Sequence, residues 1–255
     1  YEHLIYACRP LSVSLANLYS SMLRASYVNN DLKRGVISTL HTGGNKRRDN
    51  PDKYRAITLS SVVFKVFEDI VLRRSQVDIL KRINKQQGGF QDGLSCMMTS
   101  FLIREAVHFA NENSSKLCVA FMDGKKAFDV VWHDGLLYKL VNECNLDPTT
   151  IMAYRAMYTG MTSCVRYQGK LSRWFSVRQG TRQGGKSSPI LYLLYINELI
   201  NTLGGSEYGL CMYNVKLTSP TVADDMMLVA LSSTGINAML DICNSYSKKW
   251  RYEYN

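Results

Sequence analysis

No stretch of this chain is apolar for long enough to cross a bilayer, and its N-terminus carries no signal-peptide pattern. Those absences leave a soluble, intracellular protein as the expectation. The seven cysteines, Cys8, Cys96, Cys118, Cys144, Cys164, Cys211 and Cys243, lack any pairing pattern and are never spaced as C-x-x-C. That argues against a disulfide framework or a cysteine zinc site and reads as free thiols in a reducing compartment. Internal repeats and low-complexity tracts are absent as well. Acids are in short supply: 31 Lys and Arg stand against 21 Asp and Glu, a formal charge of +10, with an isoelectric point near 9.2. A basic chain without membrane features usually meets a polyanion, most often nucleic acid, although a merely basic enzyme has the same balance.

What is present is enough to fold. At 255 residues, 46% hydrophobic and 20% charged, the chain sits at the upper end of what one core supports, so one domain or two closely packed subdomains are expected. Its bases gather at Lys33-Arg34, Lys46-Arg47-Arg48, Arg73-Arg74, Lys81-Arg82 with Lys85, Lys125-Lys126, and Lys248-Lys249 with Arg251. If these clusters meet backbone phosphates, binding weakens steeply with salt.

The most informative residues are two adjacent acids, Asp224-Asp225, inside the apolar run TVADDMMLVA. Carboxylates in apolar surroundings are costly unless something positive compensates them, and a divalent metal ion does so most simply. A hairpin tip, with two turn-forming acids between apolar strands, is the plainer reading. The two readings are compatible. A third acid decides how much weight metal binding deserves: Leu117 to Met122 reads as a buried strand ending at Asp123, the same pattern of strand followed by acid. Oxygen ligands from three carboxylates suit Mg²⁺, and two such ions about 3.5–4 Å apart clamp the attacking and leaving oxygens of a phosphoryl transfer.

Around these motifs the periodicity predicts helices at Pro10–Arg24, Val62–Arg74, Leu94–Asn111, Asp134–Asn145, Pro148–Tyr158 and Ile236–Arg251, and a short strand at Tyr54–Leu59. Gly43 to Lys53 has loop composition, and Tyr167-Gln168-Gly169 separates two β-rich runs as a hairpin would. Ser188-Pro189 opens a long apolar helix through Leu203, with serine as the cap and proline at the first helical position. Mixed helices, strands and hairpins indicate an α+β fold on an antiparallel sheet.

FMDGKKAFDVVWHDGLL, then RQGTRQGGKSSPILYLLYINEL, then VADDMMLVA resemble the reverse transcriptase domain of non-long-terminal-repeat (LINE-like) retrotransposons. Upstream, NPDKYRAITLSSVVFKVFEDIVLRR and QQGGFQDGLSC resemble finger-region blocks of that family. The blocks run in the family's order over most of the chain. The resemblance implies the fingers and palm of a right-hand polymerase, mainly residues 1–115 and 116–255 respectively, with an antiparallel palm sheet backed by helices. It implies two-metal transfer from a deoxynucleoside triphosphate to a DNA primer 3′-hydroxyl on an RNA template. Asp123, Asp224 and Asp225 are then the catalytic metal ligands for two Mg²⁺, with Mn²⁺ as a substitute. Arg55 is implied as a triphosphate contact assisted by Lys46. Phe128 packs under the sugar and blocks a 2′-hydroxyl, and Gly124, Gln183 and Gly184 line the nucleotide pocket. Arg182 is expected to meet template phosphate and Val222 to lie beside the primer end. Asp129 is expected to be structural, holding its turn or a nearby lysine.

The sequence departs from the family at Val222, where an aromatic is common, at His41 and Gln91, where a base is common, and at Gly185-Lys186. The primer-gripping hairpin and thumb of such polymerases lie beyond Asn255, so a fold that binds Mg²⁺ and nucleotide but extends primers poorly alone is expected. Two other readings stand beside the leading one. They are a catalytically impaired nucleic-acid-binding relic of such a polymerase and a reverse transcriptase of the group II intron maturase type.

Overall fold

A computed structural model describes residue 6, residues 8–44 and residues 47–255; Lys46, expected to assist at a triphosphate, lies outside them. In chain order the elements are helix α1 (Cys8–Ala25), strands β1 (Arg34–His41) and β2 (Tyr54–Ser60), and helices α2 (Val62–Leu80) and α3 (Cys96–Glu112). There follow β3 (Cys118–Met122), α4 (His133–Glu143), α5 (Pro148–Tyr158), β4 (Thr162–Tyr167), β5 (Lys170–Leu171) and β6 (Phe175–Ser176). The chain continues through α6 (Ser188–Gly205), β7 (Leu210–Met212), β8 (Val215–Leu217), β9 (Thr221–Val222), β10 (Asp225–Ala230) and α7 (Ser233–Trp250). None of the described helices is long and apolar enough to cross a membrane.

Helix α6 is apolar all round, which makes it the central helix rather than a surface one. Leu191, Leu193, Leu194, Leu199, Ile200 and Leu203 are all fully buried. It packs against α2, α4 and α7. Its start differs by one residue from the expected cap. Ser187 takes the cap position and Ser188 is already helical; neither caps through its side chain, and the Ser187 hydroxyl donates to Glu68 Oε1 at 2.6 Å instead. A buried carboxylate competes successfully for that donor because leaving it unpaired costs more than an uncapped helix end. Elsewhere side-chain caps set the helix starts. Ser232 accepts from the Gly235 amide at 3.0 Å and starts α7 three residues before Ile236, and Asp147 accepts from the Thr150 amide at 3.0 Å ahead of Pro148.

Lys139 on α4 is fully buried between Glu198, at 2.7 Å, and Glu143, at 3.0 Å, and its ammonium stands 4.0 Å from the Trp250 ring centre. One side chain thus ties α4, α6 and α7 together.

Two sheets frame the site. A three-stranded antiparallel sheet, in order β3-β10-β9, carries the acids, in register Met122 opposite Met226. The second sheet runs β2-β1-β4-β5, with β6 also on β4. Its β1–β4 pairing is parallel, so this sheet is mixed rather than purely antiparallel. Strand β1, which the periodicity did not reveal, supplies the pairing for both β2 and β4.

Candidate active site

Asp123 directly follows β3 and Asp225 begins β10, so the antiparallel register brings both to the same end of neighbouring strands. Asp224 and Ala223 form the tip between β9 and β10, with Val222 paired to Asp225. The hairpin tip and the clustering of acids therefore coexist. Their burial differs from the expectation: Asp123 and Asp225 are exposed and Asp224 alone is half-buried. Burial pushes the Asp224 carboxyl above the usual range; Asp225 and Asp123 push the same way, against a local backbone hydrogen bond and Arg55. Asn255 donates its side-chain amide to Asp123 Oδ2 at 2.7 Å and its backbone amide to the Asp123 carbonyl at 3.0 Å. Among the described residues, no three His, Cys, Asp or Glu side chains are arranged to hold a metal ion as they stand.

Ala223 adopts φ of +59°, a left-handed conformation that costs a non-glycine residue of order 1 kcal/mol and persists only where the surroundings impose it. Gln87 imposes it. This fully buried side chain donates to the Ala223 carbonyl at 3.1 Å and accepts from the Ala223 amide at 2.8 Å and the Gly89 amide at 2.9 Å. Gly89 must be glycine, since a Cβ there would stand 2.5 Å from the Ala223 nitrogen. Gln91, noted only as a lost positive charge, holds the Gln87 carbonyl at 2.6 Å. Replacing Gln87 with methionine keeps the volume and removes the clamp. The Ala223 and Gly89 amides would lose their partner, so the melting temperature should fall by several degrees; thermal unfolding at the wild-type temperature would refute the clamp.

Beside the acids lies a cavity of about 460 Å³ lined by Arg55, Gly124, Phe128, Gln183, Gly184 and Asp224, which unites most of the residues singled out in the sequence. Phe90 and Lys126 also line it and were missed. Phe90 sits in the QQGGF segment directly after the Gln87 clamp, and its ring stands edge-on to Phe128 at 6.2 Å. Phe128 in turn packs on Tyr192 at 4.5 Å, fixing its plane. The Gln183 loop is pinned to β2 by the Thr58 amide, which donates to the Gln183 carbonyl at 2.8 Å. Gly184 has φ of +107°, and a Cβ there would lie 3.1 Å from the Thr58 carbonyl, so glycine is required twice over. Gly185 likewise leaves no room for a side chain, with Ser188 Oγ 2.5 Å from where its Cβ would be.

Asp129 does hold a partner, though not a lysine alone: Gln183 Nε2 donates to its carboxylate at 3.0 Å. Burial raises the Asp129 carboxyl, while this hydrogen bond and the nearby Lys126 draw it back. Arg182 requires a correction. Its side chain is turned into the protein, 8% exposed, donating to the Lys33 carbonyl and lying over the Phe64 ring at 4.9 Å. Glu68 beneath it supplies the favourable charge, so the guanidinium braces the loop and is not presented to a template phosphate. Val222 is half-buried and does not line the cavity.

These features define a class. Residues 44–255 match the reverse transcriptase (RNA-dependent DNA polymerase) family, and the chain belongs to it. Its relatives are mobile-element proteins of the LINE-like kind. It is 27% identical over 254 residues to the RNA-directed DNA polymerase from mobile element jockey of Drosophila melanogaster, covering 94% of this chain and 26% of that protein. Identity is 25% over 246 residues to the probable RNA-directed DNA polymerase from transposon X-element of the same fly, covering 93% and 26%. The chain thus spans about a quarter of the length of these relatives. Among solved structures it resembles apo telomerase from Candida tropicalis truncated from its C-terminal domain, with TM-score 0.62 at 12% identity over 96% of this chain and 54% of that one. The telomerase from Candida albicans in complex with a TWJ fragment of telomeric RNA gives TM-score 0.59 at 12% identity over 94% and 46%. At such identities the likeness establishes the fold alone: a central sheet backed by helices.

Proposed function

We propose that this chain is the fingers and palm of an RNA-directed DNA polymerase that adds deoxynucleotides to a DNA primer on an RNA template. The three-stranded sheet with its helices is the palm, and the five-stranded sheet is the core of the fingers. The observation that carries the reading is the 460 Å³ cavity, which brings Arg55, Phe128 and the Gln183-Gly184 loop to the side of Asp224.

The donor set fits a hard divalent cation. It is all oxygen, and burial, joined by the nearby Asp225 and Asp123, raises the proton affinity of Asp224, a penalty on its charged form that a cation relieves. Asp123, Asp224 and Asp225 would hold Mg²⁺, with Mn²⁺ as a substitute. When bound, two ions neutralise charge on the transferring phosphate and make the attacking hydroxyl more acidic. Asp224 and Asp225 fix the position of the primer terminus through the clamped turn. The planar Arg55 guanidinium suits the triphosphate oxygens. The new bond joins the primer 3′ oxygen to the α-phosphorus, and the bond to pyrophosphate breaks.

On this reading Phe128, braced by Tyr192 and Phe90, excludes a ribose 2′-hydroxyl. Phe128→Ala should raise ribonucleotide use relative to deoxynucleotide use roughly tenfold to a hundredfold, read as the ratio of kcat/KM for the two sugars. An unchanged ratio would remove Phe128 from sugar selection. The proposed function itself is tested by incorporation of a single deoxynucleotide on an RNA template, a reaction that makes no demand on processivity.

A further inference from the structure

The loop from Arg182 to Ser187 carries Gln183 and Gly184 to the nucleotide cavity, and one buried side chain reaches both of its ends. That side chain is Glu68, on α2 and 3% exposed. At the far end its Oε1 accepts from the Ser187 hydroxyl at 2.6 Å and from the Ser187 amide at 3.0 Å, a carboxylate at the start of α6 where the helix dipole favours it. At the near end it faces Arg182 and supplies favourable charge to the guanidinium. Phe64, four residues earlier on α2, shares that face of the helix and lies against the same guanidinium at 4.9 Å. The loop between is drawn tight: the Gly185 amide donates to the Arg182 carbonyl at 2.9 Å, and a Cβ on Gly185 would stand 2.9 Å from Glu68 Oε1.

The contact between Glu68 and Arg182 is not direct. Glu68 Oε2 and Arg182 Nε and Nη1 are all buried and hydrogen-bond to no group of the protein, an arrangement that is costly for charged atoms unless something lies between them. Both residues border a cavity of about 10 Å³, closed off from solvent by Met157, Tyr158 and Met161. A space of that size admits one water molecule and nothing larger. Water is also what the chemistry selects, since it donates to a carboxylate oxygen and accepts from a guanidinium at once. An anion would meet Glu68, and a cation would meet Arg182.

We propose that Glu68 is a positioning residue for the nucleotide pocket, holding the loop at Ser187 directly and at Arg182 through one buried water molecule. Glu68 does not line the nucleotide cavity itself. It acts through the loop, whose two ends would both loosen without its charge, so that Gln183 and Gly184 would no longer be presented in one place. Calling the pocket a nucleotide site rests on the polymerase reading; the anchor and its water rest on the packing around Glu68 alone.

A high-resolution crystal structure of the wild-type protein should show one ordered water bonded to Glu68 Oε2 and to the Arg182 guanidinium; a direct contact between the two side chains would overturn the bridging role. Glu68→Gln keeps the shape and removes the charge. Amide hydrogen exchange should then quicken at Thr58, Gly185 and Ser187 by roughly tenfold to a hundredfold, the range for one hydrogen bond to a charged group, while Leu228 in β10 keeps its wild-type rate. In single-nucleotide incorporation the nucleotide KM should rise about tenfold with kcat and primer–template affinity within a few-fold of wild type, the signature of lost substrate binding rather than of lost fold. Ser187→Ala leaves the charge in place and severs only the hydroxyl bond, so it tests the anchor even where Glu68→Gln folds poorly; it should shift Gly185 exchange and nucleotide KM the same way by a few-fold. Wild-type exchange at the loop, or an acceleration that reaches Leu228 equally, would overturn the proposal, as would an unchanged KM. Failure of the polymerase reading is separable, since the wild type would then incorporate nothing while the loop-specific exchange response persisted.

Discussion

Asp224→Asn should abolish nucleotide incorporation, by roughly a thousandfold or more, while the protein stays folded and still binds primer–template. The substitution is nearly isosteric and removes one negative charge from the centre of the acid trio. Its effect on stability has a definite sign. The folded-state carboxyl of Asp224 is raised by burial and by Asp225 and Asp123. A raised pKa means the stabilising contribution is complete below the unfolded value and is lost as pH rises through the folded one. At neutral pH the ionised Asp224 therefore opposes folding, and the asparagine variant should melt at the same temperature as the wild type or higher. Without added divalent metal, the difference in melting temperature between the two proteins should shrink as pH falls below the carboxylate range. A variant that lost activity only because it melted lower would contradict this account, because structural damage and loss of a charge predict opposite shifts. Primer–template affinity supplies a third readout, expected within a few-fold of wild type.

The largest effect on stability is expected at Lys139, on a helix that lines no part of the nucleotide cavity. Lys139→Ala leaves Glu198 and Glu143 without their shared cation and opens a cavity beside Trp250. Removing one member of a buried charge network costs about 3–5 kcal/mol, more than replacing the whole network by apolar groups would. For a chain of this size that corresponds to a fall in melting temperature of roughly 6–20 °C. Glu198 keeps a second cation, Lys249 on α7, at 3.1 Å, so the loss belongs at the lower end of that range. Thermal unfolding of the single variant and of Lys139→Met with Glu198→Leu would separate charge from packing. The double variant should recover part of the stability.

What the sequence disclosed and what it hid follow from the range of the interactions involved. Asp123 and Asp224-Asp225 were legible because each acid ends or interrupts an apolar strand, a pattern carried by a few neighbouring residues. Arg55, Phe128 and Gln183 were legible only through family resemblance, since no local pattern distinguishes a pocket arginine from a surface one. The Gln87 clamp was hidden because its partner, Ala223, lies far along the chain, and a buried glutamine looks the same in sequence as an exposed one. Arg182 misled for a related reason: its place before the glutamine-glycine pair suggested a phosphate contact, whereas Glu68, Phe64 and the Lys33 carbonyl, all distant in sequence, draw it inward. Strand β1 escaped notice because its parallel partner β4 is supplied by the other half of the chain. The charge clusters misled in the opposite direction, since acids close in sequence pair with some of their members, as Asp49 does with Arg47, Asp69 with Arg73 and Asp78 with Lys81.

Single-nucleotide incorporation tests the central claim most directly. The protein would be given a DNA primer on an RNA template, Mg²⁺ and one deoxynucleoside triphosphate at a time, with the templating base varied through all four identities. Extension by one nucleotide, only with the complementary triphosphate and only in the presence of template, is the expected result. Binding of primer–template without incorporation of any nucleotide, under Mg²⁺ or Mn²⁺, would contradict it and leave a nucleic-acid-binding relic of the polymerase fold.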